Sequence, residues 1–343
     1  MPNLPRDSRI LIIRLRSLGD VVLLTPVLAA LHAWRPDLCL SVLVEPAWKA
    51  VLEGNPAVSE ILATDGLVST ALMLRRKKFP VVFNQHGGPT SAFLTAASGA
   101  DARVCWKGKQ FGFVYNILAP DAEEFYGTLR IHTVDQRMIP FWWCGLPRGT
   151  IPYGEIFVRD EAREAVREKL RAEGIAGDRY ALLQPGARYP TKRWAFGNFV
   201  RIGAWLRKKC GFRPVVILGP DERHMAPETE ELFGNSAVVL DSLPLMELIA
   251  LISGASIFVG NDAGPAHIAA ATKTPSVIVF GSSNSVHWRP WQAHYRVVGG
   301  ECACQPTSGE RCVKFDEPRC IQSITVEQVQ EACSSLMAEV GMC

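Results

Sequence analysis

The chain has no long hydrophobic run. Its longest apolar segment, Val21–Trp34, is interrupted by a threonine, a proline and a histidine. It is therefore too short to span a bilayer, which takes about 20 apolar residues. The first residues, MPNLPRDSR, show no signal peptide pattern. We therefore predict a cytoplasmic protein, whose contact with a membrane would be peripheral, at the cytoplasmic face of the inner membrane.

The chain also lacks a large excess of charge of either sign. The 37 Lys and Arg residues face 34 Asp and Glu residues, which leaves a formal net charge of +3. Total charge therefore gives no reason to expect a nucleic acid partner. With 48% hydrophobic and 21% charged residues, the composition is that of a globular protein, and its length suits two domains.

Several nucleotide and metal motifs are missing. No GxGxxG follows the first predicted strand, and neither a Walker A loop nor an HExxH motif occurs. These absences weigh against an NAD-dependent oxidoreductase or sugar-nucleotide epimerase, an ATPase and a metalloprotease.

What is present is a regular alternation of short β-branched runs and helical patterns. This rhythm predicts parallel sheets built from βαβ units. The predicted strands are Arg9–Arg14, Leu40–Val44, Glu60–Ala63, Val81–Asn84, Tyr180–Gln184, Pro214–Leu218, Ala237–Leu240, Ser256–Val259 and Ser276–Phe280.

A Pro- and Gly-rich stretch at residues 144–155 interrupts the alternation and is predicted to be a linker. We expect an α/β protein with two Rossmann-like doubly wound domains, residues 1–150 and 151–324, facing a central cleft. We expect a last helix in residues 325–343, which could pack back on the first domain.

Three clusters follow predicted strands, where doubly wound folds bind ligands. The first is Arg16–Asp20, in which Asp20 could act as a general base toward an acceptor hydroxyl. An aspartate ahead of an apolar helix is equally suited to cap that helix.

The second cluster, Gln184–Trp194, carries three basic residues within six positions. Such a loop could bind a diphosphate, or it could be a solvated basic loop.

The third cluster, Gly260–His267, joins a strand to a helix. Its glycine and free helix N–H groups favour an anion, and His267 could donate to a phosphate. Alternatively, Asp262 is a helix cap and His267 a core histidine.

The three clusters, SLGD, then KRW, then NDAGPAH, resemble glycosyltransferase family 9, the bacterial lipopolysaccharide heptosyltransferases. The similarity extends from about Arg9 to Ile324, and the opening ILIIRLRSLGDVVLLTPVL carries it almost position by position.

The resemblance implies a GT-B fold and an inverting transfer that requires no metal cofactor. The donor is expected to be a nucleotide-diphospho sugar, ADP-heptose, and the acceptor the inner core of lipopolysaccharide. Asp20 matches the catalytic base, and Lys192 the lysine that neutralises the donor phosphates. The donor would further be bound by Gly186, Arg193, Asp221 or Glu222, Asp262, Ala263, Gly264 and His267. Ala263 stands where relatives often have a hydroxyl residue.

On the acceptor side, Ser17 and Gly19 belong to the first cluster, and His86 and Gly87 follow the fourth predicted strand. His86–Gly87 could line the acceptor pocket or form a turn. The basic run Arg75–Lys78, with Lys107 and Lys109, could attract anionic lipid headgroups or be a solvated helix face.

Cys302, Cys304, Cys312 and Cys320 are spaced CxC, then by seven residues twice. We expect a structural role for them, as zinc ligands or local disulfides, because nothing nearby activates a thiol.

Two alternatives remain at this point. The enzyme could use another nucleotide-diphospho sugar or acceptor, because residues at the phosphates do not recognise the sugar. A non-catalytic nucleotide-sugar-binding regulator could have kept the fold, although the presence of Asp20, Lys192 and His267 together argues against it.

Overall fold

A computed structural model of the chain describes residues 1–175, 177, 179–300 and 311–342. The chain divides into two compact units, Met1–Phe157 and Val158–Cys343. The sequence prediction set the boundary between residues 150 and 151. The chain stays with the first unit as far as Phe157 because this segment packs there: a Cβ built on Gly154 would stand 2.9 Å from Thr25 Oγ1.

The first unit contains six strands and six α-helices. The strands are β1 (Arg9–Ile13), β2 (Cys39–Val44), β3 (Glu60–Ala63), β4 (Val81–Asn84), β5 (Ala102–Trp106) and β6 (Ile117–Ala119). The helices are α1 (Leu18–Val22), α2 (Thr25–Trp34), α3 (Leu67–Lys77), α4 (Pro89–Ser98), α5 (Ala122–Tyr126) and α6 (Thr133–Trp143), with 3₁₀ turns at Pro46–Val51 and Gly112–Val114.

The sheet of the first unit has the order β3-β2-β1-β4-β5-β6, and all its recorded strand pairs are parallel. Residues 10–13 of β1 are fully buried, because helices cover both faces of a parallel sheet. That burial explains the continuous apolar run of β1.

The second unit repeats this plan. Its strands are β7 (Tyr180–Gln184), β8 (Arg213–Leu218), β9 (Val238–Asp241), β10 (Ile257–Asn261), β11 (Ser276–Phe280) and β12 (Tyr295–Gly299). Its helices are α7 (Asp160–Ala172), α8 (Phe196–Cys210), α9 (Ala226–Phe233), α10 (Leu245–Gly254), α11 (Gly264–Ala271), α12 (Ser285–Trp288), α13 (Arg319–Gln322) and α14 (Val326–Glu339), with 3₁₀ turns at Pro190–Lys192, Pro220–Met225 and Gly234–Ser236.

The second sheet has the order β12-β11-β10-β7-β8-β9, again with parallel pairs throughout. Counted within each unit, both sheets follow the doubly wound order 3-2-1-4-5-6. The predicted fold class is therefore confirmed. All nine predicted strands are present.

Three strands escaped the sequence prediction, namely β5, β6 and β12. Each lies at or beside a sheet edge, and β6 is only three residues long. In β12 only Val298 is buried. Edge strands bury few side chains, so their apolar pattern is weak.

A helix was predicted to run from Glu222 to Phe233. The structure instead has a 3₁₀ turn at Pro220–Met225, followed by α9 from Ala226. Pro227 is the reason, because a residue without an N–H fits the first turn of a new helix and not the interior of an old one.

Helix α14 packs within the second unit. Its buried face, which includes Val329, Cys333 and Leu336, joins the core formed by α8, β11 and β12. The expectation that residues 325–343 could return to the first domain stays a prediction.

Helices are short throughout the described part of the chain. The longest, α8, has 15 residues. Among the described residues, no helix combines the length and the apolar character needed to cross a membrane.

Candidate active site

The strand order fixes where a ligand site can form in each unit. In the first sheet the order reverses between β1 and β4, and in the second between β7 and β10. Loops that leave such a pair of strands diverge and open a crevice at the carboxyl edge of the sheet. All three clusters, and His86–Gly87, lie in these loops.

In the first unit, Asp20 lies inside α1 rather than ahead of it. Ser17 is the N-cap, and the Asp20 carboxylate reaches back to it. Asp20 Oδ2 accepts from the Ser17 backbone N–H at 3.2 Å and from Ser17 Oγ at 3.0 Å. The interpretation of Asp20 as a residue that caps the helix from ahead of it is therefore wrong, since Ser17 is the N-cap and Asp20 supports it from the third helical position. Its role as a general base stays a prediction.

Two arginines bind the other oxygen of this carboxylate. Arg14, which follows β1, and Arg137, from α6, both form ion pairs with Asp20 Oδ1. Arg137 also donates to the Asp20 backbone carbonyl, and Arg14 to the carbonyl of Gln85. The aspartate is thus fixed to two strands and one helix.

This pairing sets the charge state of the cluster. Burial alone would raise the pKa of Asp20, but Arg137 and Arg14 outweigh it and hold that pKa well below its usual range. Burial, assisted by the charge of Arg14, lowers the pKa of Arg137 to about 9 against the opposing effect of Asp20. At neutral pH the cluster is an ionised carboxylate between two cations.

His86 follows β4 on the same edge of the sheet. Asn84 Oδ1 accepts from the backbone N–H groups of His86 and Gly87, both at 2.9 Å, and shapes this turn. Burial, followed by the charges of Arg14 and Arg16, lowers the pKa of His86 to about 4. The imidazole is therefore neutral at pH 7, and its Nδ1 has no hydrogen-bond partner among the described residues.

In the second unit, Lys192 and Asp262 meet directly. Lys192 ends the 3₁₀ turn after β7, and its Nζ lies 2.7 Å from Asp262 Oδ2. The Ser283 hydroxyl, from the loop after β11, donates to the same oxygen. Asp262 is buried and Lys192 is partly exposed, so the ammonium group is the member of the pair that a ligand can reach.

Asn261 joins the two loops that hold this pair. Its Nδ2 donates to the Pro185 carbonyl at 2.6 Å, and its Oδ1 accepts from the Trp194 backbone N–H at 3.1 Å. Both ends of the basic loop are therefore fixed to the end of β10. A side chain at Gly281 would be impossible here, because its Cβ would stand 2.2 Å from the Thr191 carbonyl oxygen.

The start of α11 has the geometry expected of an anion site. Ala263 is extended and Gly264 is the first helical residue. Pro265 has no N–H, and the Ala266 N–H donates to the Ala263 carbonyl at 3.1 Å. This leaves the Gly264 N–H as a backbone donor for an anion. His267, one turn later, is buried, and its ring lies edge-to-face against Trp288 with 6.4 Å between centroids.

The other three predicted donor residues, Arg193, Asp221 and Glu222, differ in their contacts. Arg193 Nε donates to the Ala187 carbonyl at 2.6 Å and so supports its own loop. Glu222 accepts from the Gly219 N–H at 2.9 Å, and its carboxylate lies where a Cβ on Gly186 would stand. Asp221 is exposed. The structure brings Glu222 to the basic loop, and the roles of all three residues stay predictions.

The cysteine cluster is only partly described. Cys302 and Cys304 lie outside the described residues. Cys320 is buried and Cys312 is partly exposed. Within residues 1–175, 177, 179–300 and 311–342, no three His, Cys, Asp or Glu side chains form a group that could hold a metal, so the metal site stays a prediction.

Sequence reasoning missed the partners of both aspartates. Arg14 lies in the quoted RLRSLGD segment, where an arginine directly after a buried strand was a usable signal. Arg137 sits on the apolar face of α6, where a lone cation indicates a buried partner. Ser283 lies in an unremarkable SSN sequence, and nothing in it pointed to Asp262.

A comparison with a protein-family model identifies the family of the chain. The model for glycosyltransferase family 9 (heptosyltransferase) matches residues 68–315, more than half of the chain. The chain belongs to glycosyltransferase family 9. It is therefore a glycosyltransferase, as the motifs predicted.

Individual relatives of this family 9 enzyme agree. The chain is 27% identical to lipopolysaccharide heptosyltransferase 3 of Escherichia coli K12 over 297 residues. This alignment covers 80% of this chain and 82% of the relative. Among solved structures, the family 9 glycosyltransferase of Veillonella parvula matches with a TM-score of 0.86, 22% identity and coverage of 98% and 99%. The ADP-heptose lipopolysaccharide heptosyltransferase II of E. coli matches with a TM-score of 0.80, 19% identity and coverage of 97% and 99%. These two structures support the GT-B fold.

Proposed function

We propose that the protein transfers a heptose from ADP-heptose to the inner core of lipopolysaccharide, with lipid A–Kdo or a core heptose as the acceptor. Its family and its similarity to heptosyltransferase 3 support the sugar. The printed name of the E. coli heptosyltransferase II supports ADP-heptose as donor. Cytoplasmic location stays a prediction.

One observation carries the catalytic part of the proposal. Asp20, at the carboxyl edge of the first sheet, is ionised and fixed by Arg14 and Arg137. Its Oδ1 is occupied by both arginines, whereas Oδ2 has only the longer bonds from exposed Ser17. We assign Oδ2 as the proton acceptor, where an acceptor hydroxyl would replace Ser17 Oγ–H.

The reaction is a single displacement. The acceptor oxygen forms a bond to the anomeric carbon while the bond from that carbon to the diphosphate oxygen breaks, and the electron pair leaves with the diphosphate. The hydroxyl proton passes to Asp20 Oδ2. Because the pKa of Asp20 is low, its contribution is position more than basic strength. Neutral His86 is suited to bind another acceptor hydroxyl.

The second unit supplies the groups for the leaving diphosphate. Lys192 provides a cation, and His267 and the Gly264 N–H at the start of α11 provide donors. We propose that these groups make a metal cofactor unnecessary, so EDTA should leave the rate unchanged. A rate that falls with EDTA and returns with Mg²⁺ would contradict this part.

The decisive experiment is product analysis. Purified protein is incubated with ADP-heptose and a heptose-acceptor core oligosaccharide, and mass spectrometry should find one added heptose with release of ADP. Other nucleotide sugars serve as the control. Transfer from one of these alone would replace the donor, and tight donor binding without any product would favour a regulator.

The cysteines are outside this chemistry. We propose that Cys302, Cys304, Cys312 and Cys320 have a structural role, and metal analysis of the purified protein tests the zinc version. Absence of stoichiometric zinc, together with four thiols that titrate, would exclude both zinc and disulfides.

A further inference from the structure

The first unit has an apolar surface that its fold leaves uncovered. Six large hydrophobic residues are exposed on α3, α4 and the segment 107–114, which we call the α3–α4 surface. Val68 is 68% exposed and Phe113 is 87% exposed. The six are Leu67, Val68, Leu72, Phe93, Phe111 and Phe113. Single exposed hydrophobic residues are ordinary, but a contiguous set indicates an interaction site.

The three elements that carry these residues lie next to one another. Val68, Leu72 and Arg76 are spaced by four residues and share one face of α3. Helix α3 packs beside α4, and α4 contacts the turn Gly112–Val114. The rings of Phe111 and Phe113 lie edge-to-face with centroids 6.3 Å apart.

Its charge is one-sided. Residues 67–113 contain seven Lys and Arg residues and a single acid, Asp101, in a chain whose net charge is +3. Lys77 and Lys107 have acidic partners in Glu60 and Glu124. In the described part of the chain, no ion pair is found for Arg75 and Arg76 of α3, for Lys78 directly after it, or for Lys109 of the segment 107–114.

The surface also adjoins the proposed acceptor residues. A Cβ built on Gly87 would stand 3.1 Å from Lys109 Cδ, and α4 begins at Pro89, two residues after Gly87. The same loop therefore leads from the acceptor turn into the apolar and basic surface.

We propose that the α3–α4 surface docks the enzyme on membranes that contain anionic phospholipid. Phenyl rings beside cations suit an interface in which the rings enter the acyl boundary and the cations bind phosphate groups. The inference rests on the proposed function, since a core acceptor is carried on lipid. A protein partner is less suited, because it would need its own acidic patch beside an apolar one. An anionic membrane presents phosphate groups beside acyl chains over its whole surface.

Vesicle sedimentation tests the binding directly. The full-length protein is mixed with vesicles of phosphatidylcholine alone and of phosphatidylcholine with phosphatidylglycerol, without any sugar acceptor. We expect binding to the anionic vesicles only, weakened by salt because the cations are exposed. Equal binding to both vesicles, or to neither, would overturn the proposal.

Two substitutions separate the two contributions. Phe113→Ser and Arg76→Glu should each weaken binding to anionic vesicles by about tenfold. Matched controls in the second unit, at exposed Leu232 and Lys208, are Leu232→Ser and Lys208→Glu. Loss of binding in the controls, or none in the test variants, would contradict the assignment of this surface.

Activity then distinguishes this inference from the proposed function. With a lipid-free core oligosaccharide, Phe113→Ser and Arg76→Glu should transfer at the parent rate, whereas with acceptor in anionic vesicles they should be slower. Parent protein that binds vesicles but forms no product would overturn the proposed function alone. A Phe113-dependent dimer without vesicle binding would show that the surface binds a second copy instead.

Discussion

Each unit of this enzyme presents one aspartate at the reversal point of its sheet, and the two aspartates are bound differently. Asp20 is held by two arginines of its own unit, neither of which is predicted to touch a ligand. Asp262 is held by Lys192, the cation assigned to the donor phosphates, and by Ser283.

This difference separates two uses of an ion pair. In the first unit two cations fix the acid that we propose as the base. In the second unit an acid positions the cation that we propose for the donor phosphates, and on that proposal the phosphates would share Lys192 with Asp262. Asp20 should therefore act in the chemical step, and Asp262 through the affinity for donor.

The largest effect should come from Asp20→Asn. The amide keeps the shape of the carboxylate but takes up no proton, so kcat should fall about 10²–10⁴-fold. The Kd for ADP-heptose, measured by calorimetry, should change less than about twofold. Because buried Arg137 and partly buried Arg14 lose their charge partner, a thermal melt must confirm that the variant is folded. Turnover near the parent rate would remove Asp20 from the mechanism.

Lys192→Met should come next. Loss of one cation at the leaving group should lower kcat about 10²–10³-fold and also weaken donor binding, which Asp20→Asn does not. The matched control is Lys208→Met, on the exposed face of α8. Equal donor affinity in Lys192→Met and the parent would contradict the comparison between the two pairs.

Arg137→Met should give a smaller loss and a shift with pH. The carboxylate keeps Arg14, so we expect about 1–3 kcal/mol less stability and a modest loss of rate. In the parent the depressed pKa of Asp20 stabilises the fold above the ordinary aspartate range, and this contribution is lost as pH falls through the folded pKa. Without Arg137 that pKa rises, so the acid limb of kcat/KM should move to higher pH.

A control for this variant is Arg167→Met. Arg167 forms an exposed pair with Glu164 on α7, where both side chains are about half exposed. Exposed pairs contribute little, about 0–1 kcal/mol. An acid limb that stays in place in Arg137→Met would mean that Arg14 alone sets the charge state of Asp20.

The smallest effects should come from the two serines that bind the aspartates. Ser283→Ala leaves buried Asp262 with one hydrogen bond fewer and should raise the donor KM about tenfold. Ser17→Ala, in an exposed position, should change kcat/KM less than about fivefold, because water or the acceptor can replace its hydroxyl. A larger effect at Ser17 than at Ser283 would reverse this order.

Sequence reasoning succeeded where local pattern and burial agree. Buried strands such as β1 and β7 have continuous apolar runs, so their existence and order along the chain were predictable. Gly264 and the clusters after β1 and β10 were found because loops at strand ends have distinctive residue types. The position of α14 could not be predicted in this way. The apolar face of an amphipathic helix indicates that the helix packs against something, but not which elements it packs against.

The pairing of each aspartate was harder to predict for a related reason. Arg14 after β1 and Arg137 on the apolar face of α6 indicate buried charge partners, but neither position says which acid the arginine binds. Arg137 is 117 positions from Asp20 and Ser283 is 21 from Asp262. Only the tertiary fold brings them together. The pKa of Asp20 follows from those contacts, so its direction could not be derived from the sequence around it.

Asn261 has a consequence for engineering donor choice. The Asn261 side-chain amide forms hydrogen bonds with both ends of the Pro185–Trp194 loop. That loop and the end of β10 should therefore behave as one rigid unit. A loop transplanted from a relative would lose this brace unless its backbone met the same amide at both points. Exchange of donor specificity should therefore succeed only when the two segments are moved as a unit.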